Sequence, residues 1–149
     1  FRIYNIHLQS IKLKTDGFTF IDETGKVNVD KSAVIENVII KLGKAYPLRA
    51  EQAKLVLDHA HESPYPVVIC GDFNDTPMSY TYHQFQKSYE DAFRTLSKGI
   101  GATYVGRIPA GRIDYIFSDR YFVSSDFVIQ QETLSDHRAI SCRFSKRNK

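Results

Sequence analysis

Cysteine is scarce in this chain, and so are long apolar runs and dense charge of one sign. The two cysteines, Cys70 and Cys142, match no zinc or redox spacing. Both sit in apolar strand contexts, where a thiol behaves as a small buried hydrophobe. No stretch approaches the roughly 18 uninterrupted apolar residues of a membrane-crossing helix, and the first residues lack the basic-then-apolar layout of a secretory signal. A net charge of +3 falls short of the basic field of a dedicated nucleic-acid binder, though it permits phosphate substrates. Internal repeats, low-complexity tracts and the composition of disorder are absent as well. What is left is one soluble globular domain of 149 residues, 42% of them hydrophobic. Compartment and oligomeric state stay open.

Arg2 to Gln9 alternates, with Ile3, Asn5, His7 and Gln9 on one side and Tyr4, Ile6 and Leu8 on the other, the period of a strand. Lys12 to Asp30 is polar and turn-rich, a surface excursion with a loose hairpin around Phe18–Ile21 and Val27–Val29. Val34, Ile35, Val38, Ile39 and Leu42 recur at helical spacing behind the capping candidates Asp30 and Ser32, with Gly43 as the stop. Pro47 opens a second helical stretch in which Ala50, Ala53, Val56, Leu57 and Ala60 share a face, ending near Ser63-Pro64. The strand Val67–Cys70 follows, then a helix from about Ser79 to Gln86, the glycine-rich stretch Gly99 to Gly111, and strands at Ile113–Phe117, Phe122–Ile129 and Ala139–Phe144. This order predicts layered α/β packing.

The most informative residues are Gly71-Asp72-Phe73-Asn74, which end the apolar run Val67-Val68-Ile69-Cys70. A carboxylate and an amide leaving a buried strand together suit a polar cleft that holds a divalent cation and orients water. Followed by Thr76-Pro77, the same residues are also ordinary turn material. Asp114 lies inside the apolar strand Arg112 to Phe117, where an unpaired carboxylate costs several kcal/mol and demands a partner. His137, preceded by Ser135-Asp136, supplies one, because a carboxylate behind an imidazole fixes its tautomer and makes it a base near neutral pH. The alternative is an ion pair with Arg112 or Arg138.

His7 shares its strand face with Asn5, so both can point into one groove, although a strand histidine is often simply half-buried. Tyr104 either stacks on a substrate or anchors its loop. His59 and His61 belong to the surface, since residues two apart diverge on a helix, and His83 is unassigned. The glycines of the 99–111 stretch lack the spacing and lysine of a phosphate-binding loop.

The ordered set Asn5-Ile6-His7-Leu8, Gly71-Asp72-Phe73-Asn74, Arg112-Ile113-Asp114-Tyr115 and Ser135-Asp136-His137 resembles the endonuclease/exonuclease/phosphatase superfamily, the deoxyribonuclease I-like proteins. The resemblance runs from His7 to Phe144. It implies the C-terminal part of a four-layered α/β sandwich, with residues 1–149 forming a single partial domain whose N-terminal half is absent. It implies a metal-dependent phosphoester hydrolase that uses magnesium or manganese to assist in-line attack of water on phosphorus.

Carried over residue by residue, His137 polarised by Asp114 would act on the water or the phosphate. Asp72 and Asn74 would orient them, and Asp136 would help bind metal. His7 would stabilise the pentacovalent state or protonate the leaving oxygen, while Asn5 and Tyr104 would contact substrate. The early Asn and metal-binding Glu of the family have no counterpart, and Glu23, Glu36 and Glu51 are not promoted to that role. The fragment alone is therefore expected to be weakly active or inactive and to self-associate through the face its missing half would cover. The substrate is a phosphate ester, either nucleic acid or a phospholipid or inositol phosphate head group. Some bacterial relatives carry membrane segments before the domain, so the parent protein can be membrane-associated. A non-catalytic binding module is the reading from another class.

Overall fold

The computed structural model describes residues 1–11, 19–21, 27–29, 31–106, 111–132 and 134–148, the backbone alone being described at 19–21, 27–29 and 31. Among the described residues eight strands and three helices follow in the order β1 (Arg2–His7), β2 (Thr19–Ile21), β3 (Val27–Val29), α1 (Lys31–His61), β4 (Val67–Asp72), α2 (Tyr80–Ser88), β5 (Glu90–Asp91), α3 (Ala92–Leu96), β6 (Asp114–Ser118), β7 (Phe122–Ile129) and β8 (Ile140–Lys146). Strands β1, β4, β6 and β5 form one sheet in that spatial order, β1 parallel to β4 and the remaining pairs antiparallel. A parallel pair needs a long crossover, and α1 provides it, with the small β2–β3 hairpin inserted before the helix. That hairpin matches the two short alternating pieces of the sequence; the rest of the excursion, including Asp30 and Glu23, lies outside the described residues, as do residues 107–110 of the glycine-rich stretch.

Strand alternation sorts the sheet's two faces. Val67 and Ile69 of β4, with Tyr115 and Phe117 of β6, point to the helical side and meet Ala53, Leu57 and Ala60 of α1 and Tyr82 and Phe85 of α2. Phe73, fully buried, sits at the centre of this core with ring centroids 4.8 Å from Phe85 and 5.0 Å from Tyr115. Val68 and Ile116 point the other way and pack with Phe122 of β7 and with Ile140, Cys142 and Phe144 of β8. Helices α1 and α2 thus lie on one side of the sheet, and the antiparallel β7–β8 sheet, with α3 against it, on the other, the layered α/β arrangement the element order predicts. Both cysteines are free and flank this second cluster, where burial pushes each thiol above its ordinary value.

One expectation fails. The two helices proposed on either side of Gly43 and Pro47 are a single helix of 31 residues with Pro47 inside it. A proline in a helix interior removes the hydrogen bond to the carbonyl four residues earlier, here that of Gly43. Gly43 and Pro47 are both exposed, so water can satisfy the freed carbonyl and the helix continues. Two short elements went unseen, β5 and α3. Asp91 joins them: its Oδ1 caps α3 by accepting from the Phe93 N–H at 2.9 Å. Its Oδ2 accepts from the Arg112 guanidinium and the Tyr82 hydroxyl, each at 2.7 Å.

Candidate active site

Sheet register places three of the polar residues in one row. His7 of β1 is paired with Asp72 of β4, and Asp72 with Asp114 of β6, so the three occupy adjacent strands at one end of the sheet. All three share the parity of Val68 and Ile116, which puts them on the face that carries β7 and β8. His137 enters this row from the segment leading into β8, held there by a bridge to Tyr104.

Gly71 sets the spacing between the first two strands. Its φ is +133°, and a Cβ built there would fall 1.9 Å from the Ile6 carbonyl oxygen. Only glycine lets β4 come this close to β1. Beyond it the chain turns sharply through Asn74, at φ +52°, a left-handed conformation that asparagine tolerates better than most residues. That turn folds Asn74 back onto Asp72. The Asn74 backbone N–H donates to Asp72 Oδ1 at 2.7 Å, and its side-chain Nδ2 donates both to Asp72 Oδ2 at 2.9 Å and to the Leu8 carbonyl at 3.1 Å. The amide nitrogen is fully engaged, which fixes the direction of the amide oxygen.

The His137 imidazole lies between two carboxylates. Its Nδ1 is 3.0 Å from Asp114 Oδ2 and 3.3 Å from Oδ1, while its Nε2 is 3.9 Å from Asp72 Oδ2. Asp114 is thus paired with the histidine. Of the two arginines considered as alternatives, Arg112 is buried against Asp91, and Arg138 makes no ion pair with Asp114 among the described residues. A carboxylate accepts from an imidazole N–H, so Nδ1 is the nitrogen turned to Asp114 and Nε2 the one turned towards Asp72. The Asp114 strand is anchored by Thr103, whose buried hydroxyl accepts from the backbone N–H groups of Ile113 and Asp114 at 3.1 Å. Tyr104 places its ring edge-on to the imidazole, centroids 5.2 Å apart. His7 is largely exposed, its Nε2 3.5 Å from Asp72 Oδ2.

Burial raises the Asp72 carboxyl above its ordinary value. The Asn74 backbone N–H opposes this, the Asp114 charge adds to it, and the two imidazoles oppose it again. Asp72, Asp114 and His137 each offer one ligand atom, and these lie within 4.8 Å of one another. Two carboxylates and an imidazole form a donor set that fits a divalent cation.

The structure therefore brings His7, Asp72, Asn74, Asp114 and His137 together. Asp136 is exposed and stands outside the metal-ligand grouping; its Oδ1 accepts from the Ser135 hydroxyl at 3.0 Å and its carbonyl from the Val105 N–H at 2.8 Å. Asn5 is exposed two residues behind His7 on the same face of β1. His59 accounts for itself on the surface against the Tyr4 hydroxyl at 2.8 Å, and His61 against Ser88 at 3.0 Å. Sequence reasoning missed Arg49. It falls on the buried face of α1 four residues before Ala53 and eight before Leu57, and a cation on an apolar helical stripe is the signal that could have found it.

A helix–sheet–sheet stack with a histidine–carboxylate cluster at the sheet's end defines a deoxyribonuclease I-like fold, and solved structures share it. The endonuclease/exonuclease/phosphatase family matches residues 35–137, more than half of the chain, and the chain belongs to that family. It is similar to an endonuclease/exonuclease/phosphatase from Bacteroides vulgatus, with 27% identity and TM-score 0.60 over 69% of this chain and 46% of that one. It is also similar to the mannosyl-6-phosphatase Bt3783 of Bacteroides thetaiotaomicron, with 20% identity and TM-score 0.53 over 66% of this chain and 46% of that one. The human Nocturnin catalytic domain, solved with a bound sulfate anion, gives 21% identity and TM-score 0.54 over 68% and 42%. The chain thus spans less than half the length of these solved relatives. No curated protein matches it. Among the described residues no helix is long and apolar enough to cross a membrane.

Proposed function

We propose that this chain carries most of the catalytic side chains of a metal-dependent phosphoester hydrolase. The observation that supports this best is the His7–Asp72–Asp114 row closed by His137, since it gathers two imidazoles and two carboxylates at one end of the sheet. Asp114 holds the Nδ1 proton of His137, so Nε2 is the base that takes a proton as water attacks phosphorus. The ester P–O bond breaks on the opposite side, and exposed His7 gives a proton to the departing oxygen. Asp72 and Asn74 orient the water and the phosphate, the amide oxygen of Asn74 being the free end of an otherwise fixed group. Asp72 and Asp114 would hold a magnesium or manganese ion, with Asp136 able to contribute an outer contact, while Nε2 of His137 stays free to act as the base. When bound, the cation offsets charge developing on the phosphoryl oxygens. Asn5, on the His7 face of β1, and Tyr104, beside His137, would meet the rest of the substrate.

This chain covers 46% and 42% of two of its solved relatives, and in this reading the part it does not cover would complete the cation's oxygen ligands. The isolated chain is weakly active or inactive in this reading. Its uncovered β1 edge, with Phe1 74% and Ile3 59% exposed, favours self-association, which a clean monomer by light scattering at high concentration would refute.

The reading is tested with a longer form of the protein on a panel of a sugar phosphate, an inositol phosphate, a phosphocholine lipid, a nucleotide and DNA, with magnesium or with chelator. Turnover of at least one ester is expected, abolished by chelator and by His137→Ala. Turnover that survives both, or none on any ester, overturns it. The panel also decides between nuclease and head-group hydrolase, and a wholly inactive protein that still binds one of these ligands would be the binding module.

A further inference from the structure

Arg49 is 1% exposed and is one of the largest fully buried side chains of the molecule. From α1 it reaches two loops that approach the site from different strands. Its Nε donates to the Gln9 carbonyl at 2.7 Å, just past the end of β1, and its Nη1 lies 3.5 Å from Oδ1 of buried Asp75, the residue after Asn74. One helical turn later, Gln52 accepts from the Gln9 N–H at 2.8 Å, so α1 grips both backbone groups of Gln9. Gln9 follows Leu8, whose N–H donates to the Asp72 carbonyl at 2.9 Å and whose carbonyl receives the Asn74 amide.

A buried cation costs several kcal/mol unless its environment compensates, and here compensation is incomplete. Neither Nη1 nor Nη2 makes a hydrogen bond, and Asp75 Oδ2 makes none either. Burial lowers the Arg49 guanidinium from its ordinary value, with the charges of Asp75, Tyr46 and Asp72 opposing that shift. A residue kept for packing alone would be better replaced by an apolar one of similar volume. What an apolar side chain could not do is join the β1 exit to the β4 exit.

We propose that Arg49 is a positioning residue of the phosphoester site: by tying Gln9 to Asp75 from beneath, it holds the Leu8–Asn74–Asp72 hydrogen-bond set in its working geometry. This rests on the hydrolase reading above for its purpose, and on the loop geometry alone for its content.

The test compares Arg49→Lys and Arg49→Met with the wild type in the 149-residue chain by amide hydrogen exchange. The backbone and side-chain amides of Asn74 report the loop, and the core amides of Ile69 and Phe117 report global stability. In Arg49→Met, Asn74 protection is expected to fall about tenfold further than protection at Ile69 and Phe117, because the loop opens locally. Lysine can make either tie but not both, so it recovers part of the difference. A fall in step at all positions makes Arg49 an ordinary core residue and overturns the proposal. If the methionine variant does not fold, Asp75→Asn breaks the same tie with little change of shape and is read in the same way. In a catalytically competent form, Arg49→Lys is expected to lower kcat about tenfold with KM little changed; a change in KM alone also overturns it. Absence of turnover in the wild type would remove the hydrolase reading and leave the exchange contrast standing.

Discussion

Asp114 Oδ2 lies 3.0 Å from Nδ1 of His137, across 23 residues of sequence, and that contact decides which nitrogen of the imidazole is free to work. A carboxylate in this position orients the ring and stabilises its charged form; it need not exchange a proton with it.

Asp114→Asn keeps the shape and removes the charge, and it allows the imidazole to take the wrong tautomer. In a competent form of the protein it is expected to lower kcat by about 10²- to 10⁴-fold, the range typical of a general base. His137→Ala should cost a similar factor, and the double variant should be no slower than the worse single, because the two groups act as one unit. Steady-state kinetics on all three variants checks this. Losses that multiply would mean that the two residues serve separate steps.

Asp72 carries a pH signature. Its carboxyl is raised by burial first and by the Asp114 charge as well, against the opposing Asn74 N–H and imidazoles. A group whose folded pKa lies above its unfolded value contributes stability that is complete below the unfolded pKa, about 3.9 for Asp, and is lost as pH rises through the folded value. Ionised Asp72 thus works against the fold at neutral pH. Relative to wild type, Asp72→Asn is expected to gain stability as pH rises above about 4, the gain levelling off once the raised folded value is passed, as urea melts at a series of pH values would show. Manganese should stabilise the wild type and not the variant. A pH-independent difference between the two proteins refutes the electrostatic account.

The strands were legible where one face of the sheet differs from the other. Phe122–Ile129 is found as β7 over the same residues, and β4 was visible as an unbroken apolar run. The site was legible because its carboxylates stand at strand ends or within apolar strands, where burial makes a polar residue conspicuous. What sequence spacing could not supply was register. That His7, Asp72 and Asp114 form one row follows from backbone pairing between strands more than 40 residues apart, and no local period encodes it. The helix break at Gly43 and Pro47 was a misreading of a local rule, since exposure of both residues removed the cost that would have broken α1. Arg112 looked like a partner for Asp114 by proximity in sequence. The partner it found, Asp91, sits on the two-residue strand β5, too short for any periodicity to announce.

Gly71 offers the sharpest steric test. Two separate penalties meet there, a positive φ and a Cβ position 1.9 Å from the Ile6 carbonyl oxygen, and the atom in the way is backbone that cannot rotate aside. Gly99 carries only the first, with φ +88° and nothing within 4 Å of its Cβ position. Alanine at Gly99 should therefore cost about 1 kcal/mol, the range of a strained backbone alone. Alanine at Gly71 must also push β1 away from β4, and a loss of about 3 kcal/mol or more is expected, large enough to unfold a marginal domain. Separation of β1 from β4 would also break the Leu8 and Asn74 contacts that aim the site. Chemical denaturation of the two variants side by side measures the difference. Equal losses would show that the close approach of the two strands at Ile6 has no energetic weight, and that the glycine before Asp72 serves the turn and not the spacing of the row.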